Sequence, residues 1–160
     1  MQSIISPWRF DYVTTGIRNP GCIFCRALQN PDDPESLILY KANHNFVLLN
    51  RYPYTNGHIM VAPYQHLSSP MQVDPVILEE MMQLFQTGLR ALTEVYRAEG
   101  FNMGMNLGKL GGAGIEEHYH LHLLPRWSGD TNFMGTIAET RVIPEAFSVT
   151  ISKLKPFFNS

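Results

Sequence analysis

Glu117-His118-Tyr119-His120-Leu121-His122-Leu123-Leu124 is the stretch on which the fold turns, because its histidines fall at every second position. In a β-strand successive side chains point to opposite faces, so His118, His120 and His122 share one face, about 6–7 Å apart for a rise of ~3.3 Å per residue. Tyr119, Leu121 and Leu123 take the other face and are available to a core. A strand that gives a whole face to imidazoles presents groups that exchange protons, bind a metal or attack an electrophile near neutral pH. Three readings follow: a metal site, a nucleophilic imidazole flanked by two others, or a solvated face without chemistry.

Working outward, the spacings predict an α+β chain. Leu37–Tyr40, Phe46–Leu49 and His58–Pro63 read as strands, the first two joined by a polar turn and the last preceded by Arg51-Tyr52-Pro53-Tyr54-Thr55-Asn56-Gly57 with its Pro and Asn-Gly punctuation. One long helix is predicted from Asp74-Pro75, an N-cap residue followed by proline in the first turn. Its stripe is Leu78, Met81, Met82, Phe85, Leu89, Leu92 and Tyr96, and Gly100 is the expected stop. Phe101–Asn106 reads as a fourth strand, followed by a glycine-rich loop from Gly108 to Gly114 and the histidine strand. A short extended piece is expected near Arg141-Val142-Ile143 and a shorter helix from Pro144. Strands with short connections around one dominant helix argue for an antiparallel sheet with helices on one side.

The 160 residues suit one domain, divided into an arm (1–21), a central body (22–133) and a C-terminal extension (134–160). Apolar residues make up 44% and charged residues 16%, enough for a core, and the net charge of −2 comes with no basic block that would suggest a nucleic-acid polymer. No apolar run approaches ~18 residues and the N-terminus lacks signal-peptide character, so a cytoplasmic protein without a membrane span is expected. In that setting Cys22 and Cys25 read as thiols or metal ligands. Their spacing is that of a zinc knuckle, which needs two further ligands. A redox pair is disfavoured, since the motif is expected in a loop-rich arm. Lys109 in the glycine loop does not make a P-loop. No Ser or Thr follows it, the spacer is wrong, and a strand comes next; the glycines still permit close approach to a phosphate.

Taken together these segments resemble the histidine-triad (HIT) superfamily. His118–Leu124 fits its His-φ-His-φ-His-φ-φ signature. Leu48-Leu49-Asn50-Arg51-Tyr52-Pro53 with Asn56–Pro63 looks like its first nucleotide-binding segment, Gln65-His66-Leu67 like the sequel, and Phe101–Asn106, the glycine loop and Pro125-Arg126-Trp127 complete the pattern. Cys22-Ile23-Phe24-Cys25 and the run to Phe133 look most like the bacterial branch that contains diadenosine tetraphosphate phosphorylases. The resemblance spans roughly residues 22 to 133.

The resemblance implies transfer or hydrolysis of a nucleotide α-phosphoryl group. His120 would be the nucleophile, forming a nucleotidyl-histidine. His122, His58 and Asn106 would stabilise the transferring group. Asn50 would hold the ribose hydroxyls and Leu48 would line the base pocket. Cys22, Cys25, His66 and His118 would hold structural zinc. It also implies a homodimer and a nucleotide substrate. The same intermediate serves a phosphorylase, an asymmetric hydrolase and a nucleoside phosphoramidate hydrolase. A nucleotide-binding regulator and an enzyme with its metal on His120 and His122 are the readings from other classes. One departure stands out: Ala113-Gly114-Ile115-Glu116-Glu117 carries no Ser or Thr ahead of the triad. The backbone of Gly112 or Gly114, or Lys109, is the expected substitute. Trp127 stacks on a base, closes the pocket or caps the sheet edge.

Overall fold

The computed structural model describes residues 21–128, 130 and 145–159. Residues 1–20 of the N-terminal arm, the extended piece at 141–143 and Pro144 lie outside them. The five strands are β1 (Ile38–Lys41), β2 (Asn45–Leu49), β3 (Ile59–Pro63), β4 (Gly100–Gly104) and β5 (Leu121–Arg126), and the helices are α1 (Ile23–Gln29), α2 (Pro75–Tyr96) and α3 (Phe147–Phe158). The sheet runs β1-β2-β3-β5-β4, every neighbouring pair antiparallel. The class is α+β, as expected.

The period of two along the strands divides the apolar residues between two cores. One face carries Val47, Leu49, Ile59, Val61, Tyr119, Leu121 and Leu123 against Met81, Leu84, Phe85 and Leu92 of α2 and Leu154 and Phe158 of α3. The opposite face carries Ile38, Phe46, Leu48, Met60 and Ala62 against Cys22 and Phe24 at the start of α1. Gly88 sets the distance of α2 from the sheet. A Cβ there would lie 2.6 Å from Ile59 Cδ1 and 3.1 Å from Leu123 Cδ2, so the helix comes as near as it does because that side chain is absent.

The Asp74 carboxylate caps α2 through the Val76 N–H (3.0 Å), with Pro75 at the first position. The buried side is Ile77, Met81, Leu84, Phe85, Gly88, Ala91 and Leu92. It is rotated from the expected stripe, leaving Met82 44% exposed, because the contact line passes through Gly88 and Ala91, which an apolar count by size overlooks. Gly100 does not stop the helix. Arg97 does, in the left-handed conformation (φ 51°), and Gly100 opens β4. At the other end of the chain, Glu145 accepts hydrogen bonds from the Tyr96 hydroxyl and Thr150 (2.8 Å) and pairs with Lys153, docking α3 on α2.

Two differences bear on the site. The ladder of β5 begins at Leu121, so His118 and His120 precede the regular strand. The registered pairing with β3 stops at Val61↔Leu121, two residues before β3 itself ends at Pro63; upstream, the Tyr119 N–H donates to the Leu67 carbonyl (2.7 Å) and the His118 ring to the Pro63 carbonyl (2.9 Å). The alternation of faces survives all the same. Likewise β4 ends at Gly104, so Asn106 lies beyond it.

Candidate active site and metal centre

His118, His120 and His122 project from the face opposite α2 and α3, while Tyr119, Leu121 and Leu123 enter the helix-side core. His58, at the entrance to β3, joins them: its Nε2 is 2.9 Å from Nδ1 of His122. The ring centroids of His120 and His122 are 4.6 Å apart, edge to face. On the neighbouring strand Gly104 sits opposite His122. A Cβ at Gly104 would meet nothing within 4 Å, so that flank of His122 is open.

The hydrogen bonds fix the tautomers. Nδ1 of His120 is 2.9 Å from the His118 carbonyl, which only accepts, so Nδ1 carries the proton and Nε2 the lone pair. The Tyr54 N–H donates to Nδ1 of His58 (3.2 Å), which must therefore accept. His58 then holds its proton on Nε2 and donates it to Nδ1 of His122. His122 in turn holds its proton on Nε2. The site thus sets one imidazole with a free lone pair beside another with a free N–H. Protonation of His122 at Nδ1 would need His58 to accept at both nitrogens, an imidazolate, which the burial forbids.

Electrostatics agree. Burial first, then the positive charge His122 and His120 would carry, lowers the pKa of His58 from 6.5 to about 3. Burial, then His120, lowers that of His122 to about 4. Burial also lowers His120, against the opposing pull of the His118 carbonyl. All three are neutral at pH 7, and a neutral imidazole is a competent nucleophile.

A second cluster adjoins the first. Sγ of Cys22 is 3.3 Å from Nδ1 of His118, and Sγ of Cys25 is 3.3 Å from Nδ1 of His66 and 3.7 Å from that of His118. The four ligand atoms lie within 4.8 Å of one another. Tetrahedral bonds of ~2.3 Å to sulfur and ~2.0 Å to nitrogen set ligand atoms about 3.5 Å apart, close to the three sulfur–nitrogen distances above. Nε2 of His118 donates to the Pro63 carbonyl (2.9 Å), which leaves Nδ1 as the lone pair turned to the cysteines. Burial pushes the Cys22 thiol up, so its thiolate needs a cation. This donor set fits zinc and closes it with four ligands. Contrary to the expected loop, the knuckle opens α1, with Cys22 at the N-cap position.

The remaining expected residues are placed as follows. Asn50 accepts from the Tyr52 N–H (2.9 Å), and its amide nitrogen is 3.4 Å from both nitrogens of His58. Leu48 is 4% exposed, in the cluster with Phe24 and Met60. Asn106 donates to the Gly112 carbonyl (3.2 Å), bracing the glycine loop, and no described hydrogen bond joins it to the histidines. Gly112, at φ +80°, and Gly114 are exposed. The Trp127 indole N–H donates to the Tyr96 carbonyl (3.0 Å), which fits an edge cap. Sequence reasoning missed Tyr54, whose backbone N–H sets the relay and leaves no sequence signal. It also missed Phe24, although an aromatic residue between two candidate ligands was a signal to follow.

Comparison with known proteins adds to this geometry. The HIT domain family model matches residues 32–129. A Mycobacterium tuberculosis protein named AP-4-A phosphorylase is 34% identical over 152 residues, covering 91% of this chain and 78% of the relative. A crystal structure of a Zn-bound histidine triad family protein from Mycobacterium smegmatis superposes with a TM-score of 0.70 at 26% identity, covering 87% of this chain and 94% of that one. A hypothetical histidine triad nucleotide-binding protein from Sulfolobus tokodaii shares the fold with a TM-score of 0.70 at 21% identity over 86% of this chain and 92% of its own.

Proposed function

The chain belongs to the HIT family, and from that premise we propose that it is an enzyme transferring the adenylyl group of an adenosine polyphosphate through a nucleotidyl-His120 intermediate. The observation that carries the reading is the pairing of tautomers: the ring of His120, with its lone pair on Nε2, packs 4.6 Å between centroids from the ring of His122, with its N–H on Nε2. In the first step Nε2 attacks the α-phosphorus; an N–P bond forms, the P–O bond to the polyphosphate breaks, and the leaving group departs with both electrons. In the second step water or orthophosphate attacks the same phosphorus and the P–N bond breaks, returning the free imidazole. His122 donates to a phosphoryl oxygen while His58 holds its tautomer. A donor aimed at charge that grows in the transition state is commonly worth ~2.7–4 kcal/mol.

Asn50, Leu48, Gly112 and Gly114 are the proposed nucleotide contacts, and Asn106 acts by bracing the glycine loop. Cys22, Cys25, His66 and His118 would hold zinc as a structural cross-link with no open coordination position. We assign the protein a homodimer with β4, the exposed sheet edge carrying Met103 (52% exposed), at the junction. The name of the M. tuberculosis relative favours orthophosphate as acceptor. Among the described residues no helix is long and apolar enough to cross a membrane.

Incubation with diadenosine tetraphosphate, with and without orthophosphate, tests the reading. ADP plus ATP formed only with phosphate identifies phosphorolysis; AMP plus ATP identifies hydrolysis. His120→Ala removes both activities and the acid-labile adduct. Turnover retained by that variant, or no turnover by the wild type on polyphosphate or phosphoramidate substrates, refutes the proposal.

A further inference from the structure

Phe24 lies between Cys22 and Cys25 in sequence and is fully buried. Its ring centroid is 5.0 Å from that of His118 and 4.6 Å from that of His120. One aromatic side chain therefore touches a ligand of the metal cluster and the central imidazole of the triad. We propose that Phe24 is a positioning residue that carries the state of the cysteine–histidine cluster to the His120 ring. The inference rests on the reading of His120 as the nucleophile.

The local structure supports this coupling. α1 has seven residues and no side-chain cap at its N-terminus. A helix that short does not hold itself in water, where ~12–15 residues are needed for marginal stability. Its place depends on tertiary anchors: Phe24 in the core, and Cys22 and Cys25 against His118 and His66. A metal on the cluster therefore fixes α1, and α1 fixes Phe24.

The nucleophile needs that support. His120 has one described hydrogen bond, from Nδ1 to the backbone of His118, and that bond alone lets the ring swing about its side-chain torsions, which turns Nε2 and draws Nδ1 off the carbonyl that sets its tautomer. Among the described residues the rings of Phe24 and His122 pack against it, and they restrain the swing that aims Nε2. Of these three restraints the backbone bond and Phe24 lead back to the metal cluster, while His122 is held by His58. Misplacing a reacting atom by ~1 Å can cost on the order of a hundredfold in rate.

The test uses zinc-loaded full-length protein with Phe24→Leu, which keeps the site apolar and removes the flat face. Three quantities are read: zinc per chain, the His120 tautomer by nitrogen-15 imidazole spectra, and kcat against KM. The variant is expected to keep its zinc, show His120 as a mixture of tautomers, and lose on the order of tenfold or more in kcat, with KM changed by less than about twofold. Chelation of the wild type is expected to produce the same mixture. A variant that keeps the single Nδ1–H tautomer, or wild-type kcat, overturns the proposal. So does one that loses its zinc, since the ring would then act only by holding the ligands. A chelated wild type whose His120 stays in one tautomer overturns the link to the cluster. The spectra need no substrate, so wild-type protein inactive on adenosine polyphosphates, with the tautomer lost in Phe24→Leu, refutes the functional reading alone.

Discussion

Replacing His58 by Phe should make the fold less sensitive to acid. His58 is 1% exposed, and its pKa falls from 6.5 to about 3, chiefly because burial penalises the imidazolium. The unfolded chain binds a proton near pH 6.5 and the folded chain does not until about pH 3. Stability from this group is therefore intact above pH 6.5 and is lost progressively as pH falls towards 3. At about pH 5, some 1.5 units below the unfolded pKa, the loss is ~2 kcal/mol at 1.36 kcal/mol per unit. Phe fills a similar volume and does not titrate. It also forfeits the bonds to the Tyr54 N–H and to His122; the first cost is shared by both pH values and cancels, and freeing Nδ1 of His122 to take a proton only lessens the acid sensitivity further. Urea unfolding at pH 8 and pH 5, with the metal state held the same, measures it. The fall in unfolding free energy between the two should be ~2 kcal/mol smaller in His58→Phe than in the wild type. Equal falls would mean that His58 protonates in the folded protein. The chain of donors that sets His122 as a donor at Nε2 would then be wrong.

His122→Ala should lower kcat by about 10²–10³ while leaving secondary structure unchanged, since its N–H is worth most in the transition state; steady-state kinetics with circular dichroism checks both. Elemental analysis should find about one zinc per chain, and Cys25→Ser or chelation should lower Tm, because binding free energy at such a site is folding free energy; a metal-free protein of unchanged Tm contradicts the site. Leu123→Ala, at a fully buried position between β3 and Gly88, should cost ~2–5 kcal/mol in chemical denaturation.

The alternation of the histidines was legible because it depends only on the strand repeat, and the start of α2 because Asp74 and Pro75 act through their own backbone. What escaped the sequence depends on distant partners. Where β5 becomes a ladder depends on how far its pairing with β3 runs, and the helix-side stripe of α2 on the closeness that Gly88 permits. Arg97 takes the left-handed role usually given to glycine, and nothing local announces it. The Asn45 amide donates to the Ile77 carbonyl (2.9 Å) and Glu80 accepts from the His44 N–H (3.0 Å), tying the β1–β2 turn to α2 across 32 and 36 residues. In the site, the cysteines were visible by spacing, whereas His66 and His118 were paired with them only through the family resemblance. The tautomers were invisible to spacing, since they come from a backbone N–H and a backbone carbonyl; only that of His120 followed from the family resemblance.

The division of labour along one segment explains how so polar a face is maintained. His118, His120 and His122 contribute chemistry, while Tyr119, Leu121 and Leu123 hold the register Ile59↔Leu123, Met60↔His122, Val61↔Leu121. A slip by one residue would exchange the faces, taking those three apolar side chains out of the helix-side core and driving imidazoles into it. At ~1.5–3 kcal/mol for each large apolar side chain, the packing that core loses exceeds about 4 kcal/mol, before any cost of setting imidazoles against its apolar residues. That is comparable with the whole stability of a small domain, about 5–15 kcal/mol. The slipped sheet is therefore not populated. The histidines need contribute nothing to register, and that freedom lets burial hold them neutral with the lone pair of His120 unspent.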